Sequence, residues 1–228
     1  MKQFLPLFLF LSLLSIAGIA QPPPPPPGVG ASLIINEVDY DQPSIDTAEF
    51  IEIYNYGTSS VNMNTSILVL VNGSTSMPYD TIFFPSAVVA SGDYYVICGS
   101  GGNVPNCDFM LPGTSDIIQN GSPDAILLYD IAESVILDRL SYEGDVPAMT
   151  EGAGVSTNMA DNNNDEMVSL SRVPNGSDTD DNSLDFQLTT STPGEQNSTT
   201  VGITDVKKDG FVLYPNPVSN ELNLFMPG

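Results

Sequence analysis

From Leu33 to Leu170 the chain is a succession of short runs rich in Val, Ile, Leu, Tyr and Phe, broken by Gly, Pro, Asn and Ser. No stretch sustains the 3.6-residue periodicity and caps of a helix. The clearest runs are Leu33 to Val38, Phe50 to Tyr54, Ile67 to Val71, Thr81 to Phe84, Tyr94 to Ile97, Ala125 to Tyr129, Val135 to Leu140 and Met167 to Leu170. Each reads as a β-strand. Asn72-Gly73-Ser74, Ser91-Gly92-Asp93, Asn120-Gly121-Ser122-Pro123 and Asn175-Gly176-Ser177 are turn signals between them. Strands at this spacing, without intervening helices, predict an antiparallel sandwich or barrel. Ile67 to Val71 and Ala125 to Leu128 are apolar at consecutive positions. A solvated sheet face alternates more cleanly, so these runs belong in the middle of a sandwich whose outer face is at least partly covered.

With 228 residues and 41% hydrophobic content, the chain has enough apolar material for one ordinary domain plus flanks. It has 28 Asp and Glu, 5 Lys and Arg and no His, a formal charge of -23. Without His, Ser-His-Asp and Cys-His machinery and imidazole metal ligands are excluded. Lys2 lies at the start and Lys207 and Lys208 near the end, leaving Arg139 and Arg172 as the cations between. Such a field repels phosphate and anionic lipid, so direct nucleic-acid or membrane binding is not expected unless divalent cations bridge the charges.

The flanks have their own character. Residues 1–20 read as a secretory signal, with Lys2, an apolar run from Phe4 to Ile16, and cleavage between Ala20 and Gln21. Residues 21–30 hold Pro22 to Pro27 and Gly28-Val29-Gly30, an extended semi-rigid stalk. A ligand for a proline-reading domain is the alternative. In an exported chain, Cys98 and Cys107, either side of the loose Gly99-Ser100-Gly101-Gly102, are expected to form a disulfide rather than a redox or metal pair. After about residue 187 the composition turns to that of a linker, as in Thr189-Thr190-Ser191-Thr192-Pro193-Gly194.

Ile34-Ile35-Asn36-Glu37-Val38 followed by Ala48-Glu49-Phe50-Ile51-Glu52-Ile53-Tyr54-Asn55 resembles the start of the bacterial lamin-tail-like domain. Ser91 to Ile97, Ile118 to Ala125, Asp138 to Gly144, Ser169 to Gly176 and Thr192-Pro193-Gly194 match later elements in order. The resemblance covers residues 31–197 and implies an all-β, immunoglobulin-like antiparallel β-sandwich. It also implies an accessory module without catalytic residues, of the kind attached to exported nucleases and other surface enzymes. Val212 to Leu224, with Tyr214-Pro215-Asn216-Pro217 at its centre, is similar to the first strand of a type IX secretion sorting domain. That likeness implies a Bacteroidota-like host and the type IX export machinery as a partner. The expected order is therefore a sandwich over 31–197, a linker over 198–210 and a truncated start of a sorting domain over 211–228.

Glu37, Glu49 and Glu52 are conceivable as a glycosidase-style acid and base. Glu49 and Glu52 are three positions apart, however, and point to opposite faces of a regular strand, so hydrogen bonds to loops are the simpler reading. Two acidic loops, Asp161-Asn162-Asn163-Asn164-Asp165-Glu166 and Asp178-Thr179-Asp180-Asp181-Asn182, offer the oxygens that Ca²⁺ takes. Asp161, Asp165, Asp178, Asp180 and Asp181 are the candidate ligands. Neither loop has the EF-hand glycine and distal Glu, and solvated turns are the alternative. Tyr40, Tyr79, Tyr94 and Tyr95 could line a carbohydrate- or peptide-binding face, although strand tyrosines more often pack. The acidity itself is read as a solubility feature.

The function expected is that of a secreted or cell-surface, non-catalytic module that binds an extracellular protein or glycan or assists an exported enzyme. The rival is a fragment of a larger secreted hydrolase, of nuclease type, whose catalytic domain lies elsewhere.

Overall fold

The computed structural model describes residues 33–42, 45–161 and 168–197, together with the backbone of 212–214 and 223–225. The strands are β1 (Leu33–Asp39), β2 (Phe50–Asn55), β3 (Val61–Asn62), β4 (Ser66–Asn72), β5 (Met77–Phe83), β6 (Val88–Val89), β7 (Tyr94–Gly99), β8 (Cys107–Leu111), β9 (Asp124–Asp130), β10 (Val135–Tyr142), β11 (Val168–Arg172), β12 (Phe186–Thr190), β13 (Val212–Tyr214) and β14 (Asn223–Phe225). A single α-helical turn, α1 (Asn182–Asp185), precedes β12. One sheet runs β12-β11-β1-β2-β7-β8 and the other β10-β9-β4-β5, with β3-β6 and β13-β14 as separate two-stranded pairs. The result is an immunoglobulin-like β-sandwich, antiparallel throughout the two large sheets except for the β7-β8 pair, which is parallel.

Alternation along each strand builds the core. Ile35, Val38, Ile51, Ile53, Tyr95, Ile97 and Leu170 face Leu68, Leu70, Ile82, Ile126, Leu128, Leu140 and Tyr142 in one buried cluster. Each such aliphatic side chain contributes about 1.5–3 kcal/mol by leaving water. The continuous apolar runs of β4 and β9 do sit in the middle of their sheet. Their outer face is covered at one end only, where Val146 and Met149, from the loop after β10, pack on Val69, Val71 and Ala125. At the other end Phe83 and Ile136 remain 67% and 48% exposed.

All eight strands read from the sequence form, although Met167 lies outside the described residues. β5 begins earlier than expected, at Met77, and includes Pro78. Its place at the edge of the four-stranded sheet explains this, because one side of an edge strand needs no N–H. The strands not anticipated are β8 and β12, the two edges of the larger sheet, the two-residue β3 and β6, and β14, which pairs with β13 where Val212 to Leu224 reads as a single strand. β8 is tied to β7 by the expected Cys98–Cys107 disulfide, Cα to Cα 5.9 Å. Closing so short a loop stabilises the fold by about 2–3 kcal/mol on the chain-entropy view.

Candidate functional site

Glu37 on β1 and Glu52 on β2 are cross-strand partners on the outer face of the larger sheet, and both are fully buried. Like charges so placed would repel each other. A strap formed by residues 191–197 crosses over them and supplies donors. The Thr192 N–H and hydroxyl donate to Glu37 at 2.7 and 2.9 Å, joined by the Ser169 hydroxyl. The Gly194 N–H and Asn36 Nδ2 donate to Glu52, each at 2.7 Å. Gly194 has φ +80°, and a Cβ there would come within 2.5 Å of the Cβ of Asn106. Asn36 sits at the register shift between Ile35 and Glu37. Asn197 closes the strap by donating from Nδ2 to the carbonyls of Asn36 and Arg172, both at 3.0 Å. Burial pushes the carboxyl of Glu37 up, and pushes that of Glu52 to about 8 with the help of the Glu37 charge.

Glu49, just before β2, accepts from the N–H groups of Ile117 and Ile118 at 2.7 and 2.9 Å. Burial raises it to about 8. Glu37, Glu49 and Glu52 are thus buried acceptors that fasten loops to the sheet.

A second polar centre lies between the sheets. Arg172, inward on β11 and fully buried, donates from Nη2 to both oxygens of Asp138 on β10 at 3.0 Å. Its Nη1 reaches Asp185 at 3.0 Å, Asp178 at 3.3 Å and the Ser177 carbonyl at 2.9 Å. Its Nε donates to the Ile35 carbonyl at 2.8 Å, and its guanidinium stands 4.6 Å from the Phe186 ring centroid. Asp138 also accepts from the N–H groups of Ile35 and Arg139. Nearby, Arg139 Nε lies 3.5 Å from buried Glu151. Burial, then the charges of Asp138 and Asp178, raise Glu151 to about 9.

The candidate calcium ligands fall into separate roles. Asp161 accepts from the Tyr40 N–H at 3.2 Å, while its own N–H donates to the Tyr40 hydroxyl at 2.8 Å. Burial and the neighbouring Asp39 push it to about 9, and Asp39 rises to about 7 by burial. Asp178 belongs to the Arg172 centre. Asp180 has φ 57° in a turn and donates its N–H to Asp178 at 3.2 Å. Asp181 is the N-cap of α1, accepting from the Ser183 N–H and hydroxyl at 3.1 and 2.6 Å. Asp165 lies outside the described residues, as do Ala20, Gln21 and Pro215, Asn216 and Pro217 of the sorting motif. Tyr214 ends β13, opposite Asn223 of β14. Asp138 and Glu151 were not anticipated as companions of Asp178. They come from β10 and the loop that follows it, and only the fold brings them beside Asp178.

The tyrosines do not form one face. Tyr40 stacks on Tyr142 in the core at 4.5 Å, and Tyr95 points inward. Tyr79 accepts from the Gln119 N–H at 2.9 Å. Tyr94 and Tyr95, with Asp93, Asn106, Asp108 and the exposed Val88, line a groove of about 740 Å³ between β6, β7 and β8. The solubility reading of the acidity also needs correction. Glu37, Asp39, Asp46, Glu49, Glu52, Asp124, Asp138, Glu151, Asp161 and Asp185 are buried, and most of them accept from backbone N–H groups that no strand partner satisfies.

A search of curated proteins finds no match for the chain. The family model described as Lamin Tail Domain matches residues 26–144, from the stalk to the end of β10. β11, β12 and the strap follow that span and complete the larger sheet. The match takes in more than half of the sequence, and the chain belongs to the lamin tail domain family.

Proposed function

We propose that this chain is an exported, non-catalytic binding module whose ligand, a segment of an extracellular protein or a glycan, lies in the groove between β6, β7 and β8. The observation that carries the reading is the division of its polar groups. Carboxylates suited to acid–base work are buried under structural donors, while the groove presents acceptors at Asp93 and Asp108 beside apolar Val88 and Tyr94. A rigid sandwich presenting loops and the free edge of β8 suits recognition. Export is supported by the signal-like residues 1–20 and by the disulfide, and type IX sorting by the Tyr214-Pro215-Asn216-Pro217 motif with the β13-β14 pair.

The test uses purified residues 21–228 on a glycan array and a panel of extracellular proteins, beside Val88→Lys. Val88 is 70% exposed, so the variant should melt with the parent while its binding falls at least about tenfold. Ligands bound equally by Val88→Lys would remove the groove from the proposal. Robust nuclease or glycosidase turnover by the purified protein would overturn the non-catalytic reading. For export, mass spectrometry of the protein released by a type IX-competent host should find Gln21 at its N-terminus.

A further inference from the structure

We propose, resting on the groove reading above, that the groove between β6, β7 and β8 takes an extended peptide segment bearing Lys or Arg. Asp93 and Asp108 are exposed in its lining, and no Lys or Arg stands among the described residues that line it. The field around the groove has one sign. Among the described residues the cations are Arg139 and Arg172, both buried against carboxylates of their own, Glu151 for the first and Asp138, Asp178 and Asp185 for the second. Every exposed charge among these residues is therefore negative. Such a surface draws a cationic segment in and sets no competing cation against it at the groove. The same field repels nucleic acid and acidic glycans, and a neutral glycan gains nothing from it.

The wall that carries Asp108 is fixed before a ligand arrives. Asn106 donates from Nδ2 to the Pro193 carbonyl of the strap at 2.9 Å, Cys107 is bonded to Cys98, and Asp108 Oδ2 accepts from the Val96 N–H at 2.9 Å. Three consecutive side chains are thus tied to the strap and to β7. Acceptors held in place this way lose little freedom on binding. β8 is also the outer strand of the larger sheet, so an extended segment can lie along it. Side chains alternate along such a segment. Its basic residues meet Asp93 and Asp108, while the apolar ones between them meet the exposed Val88 and the half-buried Tyr94.

The experiment follows the fluorescence anisotropy of two labelled octapeptides, one of alternating Lys and Val and one of alternating Glu and Val, titrated with purified residues 21–228. The Lys–Val peptide should bind, and at least about fivefold more weakly when NaCl is raised from about 20 to about 300 mM. The Glu–Val peptide should not bind. Asp93→Asn with Asp108→Asn should melt near the parent, because Asp93 is exposed and an Asn at 108 still accepts from Val96. That double variant should bind the Lys–Val peptide about five- to thirtyfold more weakly. Asp80→Asn with Glu133→Gln removes the same charge from exposed acids outside the groove and should change the affinity by less than about twofold. The inference is overturned if the Lys–Val peptide does not bind or if the Glu–Val peptide binds as well. Equal weakening by the two double variants overturns it too, since the peptide would then be held by the acidic surface at large. A neutral glycan whose binding is lost in Val88→Lys but kept in Asp93→Asn with Asp108→Asn overturns this inference and leaves the groove reading standing.

Discussion

Replacing Arg172 by Met removes the cation that joins the two sheets while keeping a similar apolar volume over Phe186. The side chain is fully buried and holds Asp138, Asp178 and Asp185 at 3.0–3.3 Å. Its loss strands Asp138, which is also fully buried, with only the N–H groups of Ile35 and Arg139 as donors. Breaking one side of such a pair costs about 3–5 kcal/mol. With a urea m-value of about 2 kcal/mol/M for a domain of this size, the unfolding midpoint should fall by about 1.5–2.5 M. The defect should also depend on pH. Burial already raises the Asp138 carboxyl above its usual 3.8, and the Arg172 charge opposes that rise. Without Arg172 the folded-state pKa climbs further, so folding takes up a proton. The variant's shortfall should therefore be smallest near the unfolded value, about pH 4, and should grow as pH rises through the raised folded value. Urea titrations at pH 4.5 and 7.5, read by tyrosine fluorescence or circular dichroism, measure both effects. A loss below about 1 kcal/mol at pH 7.5, or a gap between parent and variant that is equal at the two pH values, would refute the account of Arg172 as the clamp.

The parent should show the same sign on a larger scale. Glu49 and Glu52 are raised to about 8 and Glu151 and Asp161 to about 9, against about 4 unfolded, so stability is greatest below about pH 4.5 and is lost as pH climbs through 8–9. In metal-free buffer Tm should fall steadily between pH 5 and pH 9; a flat or rising profile contradicts the buried-acid assignment. Gly194→Ala places a Cβ at φ +80° against Asn106 and should cost about 1–3 kcal/mol in urea, with the strap rather than the core loosened in hydrogen exchange. Reducing Cys98–Cys107 should lower Tm by about 4–12 °C, and an unchanged Tm would show that β8 holds to β7 without it.

Much of the fold was legible because strands with a well-buried face carry their own signal. β1, β2, β4, β7, β9, β10 and β11 are apolar enough to be seen alone, since each has strand neighbours on both sides or a buried face. The edge strands were harder. β8 is half exposed, and Cys107-Asp108-Phe109-Met110-Leu111 owes its place to a parallel partner and a disulfide, neither of which leaves a local pattern. β12 alternates as Phe186-Gln187-Leu188-Thr189, a readable period of two hidden in linker-like text. The site was less legible for a related reason. Asp178 stood out by sitting among other acids, but Asp138 looked like one residue of a strand and Glu151 like one of a turn. Their meeting depends on β10 and β11 facing each other across the core, a long-range consequence of topology.

The acidity of the chain gains a different meaning from its placement. Of the 23 described Asp and Glu residues between positions 31 and 197, ten are buried, with only Arg139 and Arg172 as cations in that span. A surface charge kept for solubility has no reason to go inside, where an ionised carboxylate is costly unless it is matched. These acids go inside because the connections are long and irregular: their N–H groups at Ile117, Ile118, Thr192, Gly194 and Thr179 have no strand to pair with, and a carboxyl group accepts two or more such bonds at once. With two arginines for ten acids, these N–H donors share the load with protons held on Glu49, Glu52, Glu151 and Asp161, which leave as pH climbs through 8–9.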